Sequence, residues 1–438
     1  MFGTSGIRGP VGDVVTPSLA MAVGAALAVD ADRVVVGRDP RVTGPALANA
    51  LAAGLAGSGA DVVRLGVVST PTVARSVAWR DADAGVSVTA SHNPPGDNGL
   101  KLWQPSGQAF DAERRATIED RLAAEAGETS PWDAWGAETR WDAARRRHVD
   151  AVLESADPVD GLSVVVDAGN GAGGLTTDAL RALGATVTTL NAQPDGRFPG
   201  RASEPTAESL STLRRFVASG AFDLGVAHDG DADRLMAVTG AGRFVPGDVL
   251  LALFARQAAG PGDRVAAPLN TSLLVDDALA EVGAELVRTR VGDVFVAERA
   301  AEPDVAFGGE MSGAWIWPEE TLCPDGPLAA AKLVSLVAEA GPLADQAAGI
   351  GSYPTRRESI EVGDKGAVME RIRAAVADRY DDVETTDGVR VDLGDAWFLV
   401  RASGTQSLVR VTAEAREAPR ADAVFDEVRE LVEAAIAG

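Results

Sequence analysis

The chain has a single cysteine, Cys323, so no disulfide can form within it, and this suits a reducing compartment. Lysine is nearly missing: Lys101, Lys332 and Lys365 are the only three, and arginine supplies the rest of the positive charge. Acidic residues outnumber basic ones 64 to 40, for a net charge of −24. A surface of that sign repels phosphate backbones and anionic lipids, which argues against nucleic acid and membranes as partners. No apolar run is long enough to span a bilayer. The opening Met1-Phe2-Gly3-Thr4-Ser5-Gly6 lacks the basic stretch and apolar core of a secretory signal. A cytoplasmic location is expected. Few lysines, much alanine and an acid excess spread along the chain point to a halophile's cytoplasm, where salt screens self-repulsion.

What is present is a repeat. Arg33-Val34-Val35-Val36-Gly37 reads as a strand, followed by the polar loop Arg38-Asp39-Pro40-Arg41, a helix from about Pro45 to Ala56, and Gly59-Ala60 opening another strand. The same order recurs from Ser163-Val164-Val165-Val166-Asp167 to Gly184-Ala185, and from Arg264-Val265-Ala266-Ala267 to Gly283-Ala284. Strand, loop, helix, strand is a βαβ unit, and three copies predict three α/β domains with parallel or mixed sheets. The Gly-Ala pairs fit helix ends, where glycine tolerates positive φ. The tail carries strand-like runs at 359–362, 388–392, 396–400 and 408–412 with two helical patterns, which reads as a small α+β domain. The expected divisions are 1–150, 151–245, 246–346 and 347–438.

Five stretches offer chemistry. Thr89-Ala90-Ser91-His92-Asn93-Pro94-Pro95-Gly96-Asp97-Asn98-Gly99-Leu100-Lys101 follows the apolar run 84–88, and its Asn-Pro-Pro-Gly and Asp-Asn-Gly read as a long irregular loop. It sets a hydroxyl, an imidazole and an amide at a strand's carboxyl end, where open α/β sheets place ligands. Asp229-Gly230-Asp231-Ala232-Asp233-Arg234 follows another apolar strand. Carboxylates at alternate positions of a tight loop converge on one hard cation, and Mg2+ suits few carboxylates plus phosphate or water. An EF-hand is rejected, because its sixth and twelfth places hold Arg234 and Gly240. Phe307-Gly308-Gly309-Glu310-Met311-Ser312-Gly313 is read as a glycine-rich turn, open to a ligand, whose Glu310 and Ser312 suit sugar hydroxyls. Arg401-Ala402-Ser403-Gly404-Thr405-Gln406-Ser407 lies between two tail strands and has the makings of a phosphate cradle. Gly3-Thr4-Ser5-Gly6-Ile7-Arg8-Gly9 adds hydroxyls and an arginine, or is a disordered leader.

In this order, along nearly the whole chain, these segments resemble the α-D-phosphohexomutase superfamily. The resemblance implies four domains around a central cleft, each giving one loop. It implies that Ser91 is the phosphoserine donor, that Asp229, Asp231 and Asp233 hold Mg2+ with the serine phosphate, and that Glu310 and Ser312 bind the sugar. It places Arg401, Ser403, Gly404 and Thr405 on the phosphate that is not transferred, and Arg8, His92, Lys101 and Arg234 near the reacting group. A hexose 1-phosphate and a hexose 6-phosphate would then interconvert through a hexose 1,6-bisphosphate, in a monomer or homodimer. Two places depart from the family pattern: Ala314 where histidine is frequent, and Gln406-Ser407 where Glu-Pro is frequent. The opening and Ser312-Gly313-Ala314-Trp315 resemble archaeal members grouped as phosphoglucosamine mutases, which implies glucosamine phosphates, with glucose or mannose phosphates as alternatives. From another class, Asp229-Gly230-Asp231 also resembles the first motif of haloacid-dehalogenase-type hydrolases, which would make a Mg2+-dependent sugar phosphatase. A serine hydrolase lacks its glycine elbow here, and a sugar-phosphate sensor would not need Ser91 and the aspartates.

Overall fold

The computed structural model describes residues 3, 6–381, 383–403 and 407–437. The first sheet contains β1 (Ile7–Pro10), β2 (Arg33–Arg38), β3 (Asp61–Val67), β4 (Ala84–Val88), β5 (Asp97–Trp103) and β6 (Glu138–Arg140), in the order β1-β5-β4-β2-β3-β6. β4, β2, β3 and β6 run parallel, β5 pairs antiparallel with β4, and β1 pairs antiparallel with β5 at the edge. The second sheet contains β7 (Ser163–Asp167), β8 (Thr186–Leu190), β9 (Leu224–Ala227), β10 (Met236–Thr239) and β11 (Phe244–Val245), in the order β11-β10-β9-β7-β8. The third contains β12 (Arg264–Pro268), β13 (Glu285–Thr289), β14 (Val305–Glu310) and β15 (Ala314–Ile316), in the order β13-β12-β14-β15. The fourth is antiparallel: β16 (Thr355–Glu361), β17 (Val383–Glu384), β18 (Val389–Asp392), β19 (Ala396–Ala402) and β20 (Leu408–Ala415), in the order β16-β20-β19-β18-β17.

This is the expected class, three α/β units with mixed sheets and a C-terminal α+β unit. Val164, Val165 and Val166 are wholly buried, as an unbroken apolar run must be when helices cover both faces of its strand. The second and third sheets share one continuous core, while the first and fourth have cores of their own. Helices start where short polar side chains cap them: Thr16 accepts from the Leu19 amide, Asp111 from Arg114 and Asp325 from Leu328. Gly59, Gly184 and Gly283 have φ of +97°, +110° and +74°, the left-handed geometry the repeat requires. No single helix among the described residues is long and apolar enough to cross a membrane.

Four local readings are corrected. Asp97-Asn98-Gly99 is not loop but the start of β5, paired with β1, and Ile7–Pro10 is that edge strand rather than a leader. Glu138–Arg140, not expected as a strand, pairs with β3; all three residues are exposed, so no apolar alternation marks them. Phe307–Glu310 belongs to β14, and only 311–313 turns. Gly308 and Gly309 serve packing rather than ligand approach. A Cβ on Gly308 would lie 2.9 Å from Val296 Cγ1, and one on Gly309 would lie 2.8 Å from both Leu251 Cδ1 and Trp315 Cε3.

Candidate active site

In each of the first three sheets the chain steps from one strand to a neighbour, then crosses back to the far side of the first. β4 thus lies beside β2, β9 beside β7, and β14 beside β12. The crevice where such connections diverge is where open sheets take ligands. Ser91 follows β4, Asp229 follows β9, and Glu310 ends β14.

Ser91 is 1% exposed and has φ of +48°, a conformation that is uncommon outside glycine. Its amide donates to Thr89 Oγ1 at 2.9 Å. Its hydroxyl donates to Asp229 Oδ2 at 2.5 Å and lies 3.2 Å from His92 Nδ1. Burial and the charges of Arg234 and Arg8 push the His92 imidazole down to about 3, so it is neutral near pH 7.

Asp229 and Asp231 are fully buried and Asp233 is 5% exposed, and one oxygen of each lies within 4.8 Å of the others. Thr70 holds Asp231 twice: its hydroxyl donates to Oδ2 at 2.6 Å and its amide to the carbonyl at 2.9 Å. The Arg234 amide donates to Asp229 Oδ1 at 3.3 Å. Burial and the charge of Asp231 raise Asp229 well above the usual range and Asp233 to about 7. Burial would raise Asp231 too, but Arg8 and the Thr70 bond hold it below. Asp231 Oδ1 and Asp233 Oδ1 are buried with no hydrogen-bond partner among the described residues. Crowded carboxylates with orphaned inward oxygens fit a small, oxygen-seeking divalent cation.

Cations surround this group. Arg8 lies on β1 opposite Gly99, and its Nε is buried without a hydrogen-bond partner among the described residues. Lys101 Nζ donates to Asp293 Oδ2 at 2.5 Å and sits 4.7 Å over the Trp103 ring. Burial alone would lower the Lys101 ammonium, but Asp293 and Asp233 outweigh it and raise it. Arg234 lies 3.8 Å from Glu204 and pairs through its backbone with Ala314.

Glu310 reaches this group through the Asp293 helix. Its Oε1 accepts from the Gly292 amide at 2.8 Å, and its Oε2 accepts from the Ser312 hydroxyl at 3.2 Å. Burial and Asp293 raise its pKa. One residue earlier, the Val291 amide donates to Asp387 Oδ2 at 3.1 Å, and Arg401 Nη1 donates to the same oxygen at 3.2 Å. The fourth unit's loop is thereby joined to the third's, although Arg401 has no direct bond to the Ser91 group among the described residues. Ser403 is 4% exposed, and its carbonyl accepts from Lys365 Nζ at 2.7 Å. Gly404 and Thr405 lie outside the described residues.

Thr70, Asp293, Asp39 and Arg41 are part of this centre but escape a reading of the sequence. Asp39 and Arg41 stand in the loop after the first repeat's opening strand, which was the one available signal.

The comparisons agree with this geometry. Residues 1–128, 146–242 and 246–353 match the descriptions of alpha/beta/alpha domains I, II and III of phosphoglucomutase/phosphomannomutase, and 359–431 match its C-terminal domain. A protein of Methanopyrus kandleri described as a probable phosphoglucosamine mutase is 46% identical over 441 residues, covering 98% of this chain and 97% of its own length. One of Methanosarcina acetivorans with the same description is 44% identical over 440 residues, covering 100% and 99%. The crystal structure of a phosphoglucomutase/phosphomannomutase family protein from Burkholderia thailandensis has a TM-score of 0.89 at 29% identity, covering 99% of this chain and 98% of that one. Fold, site and relatives define an enzyme, an isomerase that shifts a phosphoryl group within a sugar phosphate. The chain belongs to the phosphoglucomutase/phosphomannomutase family.

Proposed function

We propose that this phosphohexomutase interconverts glucosamine 6-phosphate and glucosamine 1-phosphate through a phosphoserine at Ser91 and a hexose 1,6-bisphosphate. The observation that carries the phosphoserine is the Ser91 hydroxyl 2.5 Å from Asp229, inside a shell of buried carboxylates and arginines. The name shared by the archaeal relatives supports glucosamine over glucose or mannose. Asp229, Asp231 and Asp233 are the residues that would hold Mg2+, which when bound offsets charge on the transferring group. Arg8, Lys101 and Arg234 add fixed positive charge around Ser91, and neutral His92 adds a hydrogen-bonding group without charge. Glu310 and Ser312 present acceptors to sugar hydroxyls. Arg401, Ser403, Gly404 and Thr405 hold the phosphate that stays. In the forward direction the Ser91 phosphoryl passes to the sugar's free hydroxyl, the bisphosphate turns over, and its other phosphoryl returns to Ser91 Oγ.

Cytoplasmic location, a monomer or homodimer, and unit boundaries near 150, 245 and 346 complete the reading. A halophilic setting predicts that added KCl raises the melting temperature; a fall would mean that surface ion pairs outweigh self-repulsion.

The test incubates the enzyme with Mg2+, a trace of hexose 1,6-bisphosphate and, separately, glucosamine, glucose and mannose 1-phosphates, followed by phosphorus NMR. Fastest isomerisation of glucosamine 1-phosphate without free phosphate is the expected result. A different fastest sugar replaces the substrate, and release of phosphate without isomerisation moves the chemistry to Asp229 as nucleophile.

A further inference from the structure

Arg41 is fully buried, and Asp39 beside it is 1% exposed. A guanidinium has five N–H donors, and all of those of Arg41 are engaged. Nε donates to Asp39 Oδ2 at 2.9 Å. Nη1 donates to the carbonyls of Pro94 at 2.6 Å and Asp97 at 2.9 Å, and Nη2 to those of Ser91 at 2.8 Å and Asn93 at 2.7 Å. Every carbonyl in that set belongs to the segment 91–97, which runs from Ser91 to the first residue of β5. No donor remains for a ligand, so this arginine acts on the main chain.

Asp39 works on the other side of the same serine. It accepts from the Arg41 amide at 2.9 Å and the Thr89 hydroxyl at 2.8 Å, and Thr89 Oγ1 accepts from the Ser91 amide. Ser91 is therefore held at its amide through Thr89 and Asp39, and at its carbonyl through Arg41. Ser203 also donates to that carbonyl, at 2.9 Å. The second unit closes the arrangement, with the Phe198 ring 5.0 Å from the guanidinium carbon. Phe198 has φ of +49°, so both it and Ser91 occupy left-handed backbone that persists only where the surroundings enforce it. Gly196 lies so close that a Cβ there would be 2.4 Å from Arg41 Cα.

We propose that Arg41 is a positioning residue for phosphoryl transfer: with Asp39, Thr89 and Phe198 it shapes the segment 91–97 so that Ser91 Oγ faces the carboxylate trio. This role rests on the reading of Ser91 as the phosphoryl carrier. Lysine is a poor replacement, since a tetrahedral ammonium with three donors cannot span a planar set of carbonyls.

The test compares wild type, Arg41→Lys, Phe198→Leu and Ser91→Ala for kcat, KM, melting temperature and phosphorylation of Ser91 by hexose 1,6-bisphosphate. In Arg41→Lys, kcat falls about 100-fold, as for a reacting atom displaced by roughly 1 Å. KM changes little, and Ser91 phosphorylation slows in step with kcat. Wild-type kcat, or a loss confined to KM, overturns the role. Should Arg41→Lys not fold, Phe198→Leu decides: a kcat loss of about tenfold at unchanged KM supports the role, and wild-type kcat removes it. Full turnover by Ser91→Ala overturns the phosphoserine reading and this role together. Loss in Ser91→Ala with full turnover in folded Arg41→Lys overturns the role alone.

Discussion

Asp325 is as deeply buried as Asp229, yet the chain treats it in the opposite way. Asp325 Oδ2 accepts from Arg75 Nε at 2.8 Å and lies 2.9 Å from His148 Nε2, while Oδ1 accepts from the Leu328 amide at 3.1 Å. His148 Nδ1 in turn lies 2.8 Å from Thr72 Oγ1. Burial alone would raise the Asp325 carboxyl, but the charges of His148 and Arg75 and the bonds it accepts hold it well below the usual range. At Asp229 and Asp233 burial and mutual repulsion prevail, and one oxygen each of Asp231 and Asp233 has no protein partner among the described residues. A carboxylate whose partners the chain supplies belongs to the architecture, and one whose partners are missing awaits a ligand. One helix, Thr70–Trp79, carries both: Thr70 bonds Asp231 at its start, and Arg75 bonds Asp325.

The contrast can be broken most severely at Asp231. Asp231→Asn should lower turnover on the order of 10³-fold, the scale of losing one preorganised charge-stabilising group. It should change the metal-free melting temperature little, because the repulsion relieved at Asp229 and Asp233 offsets the attraction lost with Arg8. A coupled isomerase assay and calorimetry on one preparation check both; a clear drop in melting temperature would put Asp231 with Asp325. Asp325→Asn should do the reverse, costing about 3 kcal/mol of stability by stranding Arg75 and His148. The fraction that remains folded should lose less activity than Asp231→Asn, as denaturant titration beside the same assay would show. Mg2+ at a hundred times its Kd should stabilise wild type by about 2.7 kcal/mol, and Asp231→Asn by much less. Equal stabilisation of both proteins would place the cation elsewhere.

The smallest effect is in acid. The folded pKa of Asp325 lies below its unfolded value, near 3.9. Its stabilising contribution is complete above that value and is lost progressively as pH falls from there through the lower folded value. Melting curves collected downward from pH 6 should therefore fall more steeply below about pH 4 for wild type than for Asp325→Asn. Parallel curves would show that the network around Asp325 adds nothing that titrates.

Much of this was legible in the chain because it rests on local grammar. Gly59, Gly184 and Gly283 announced three repeats through a backbone geometry other residues rarely adopt. Ser91 and the aspartates stood out because polar groups directly after buried strands are costly without a purpose. Asp325, Arg75 and His148 were illegible, since they lie far apart in sequence and meet only when helices from different units pack. Arg41 was hidden for a similar reason: its partners are backbone carbonyls, which carry no sequence signature. Glu138–Arg140 has no apolar face to betray a strand. Gly308-Gly309 misled, because a glycine pressed by a helix or an indole looks in sequence like one cleared for a ligand.

The threefold use of one βαβ plan also bears on how such an enzyme diversifies. Ser91, Asp229 and Glu310 each stand on a separate sheet, at the same station of the same plan. The residues proposed to transfer the phosphoryl group and those proposed to bind the sugar are therefore rooted in different copies. Ser312 sits on a hairpin apart from the bonds that hold Ser91, whereas Gly313 is fixed by a φ of +98° and by Leu235, whose carbonyl would lie 2.8 Å from a Cβ there. On the proposed roles, a change of sugar and a change of reaction would each begin on a different sheet.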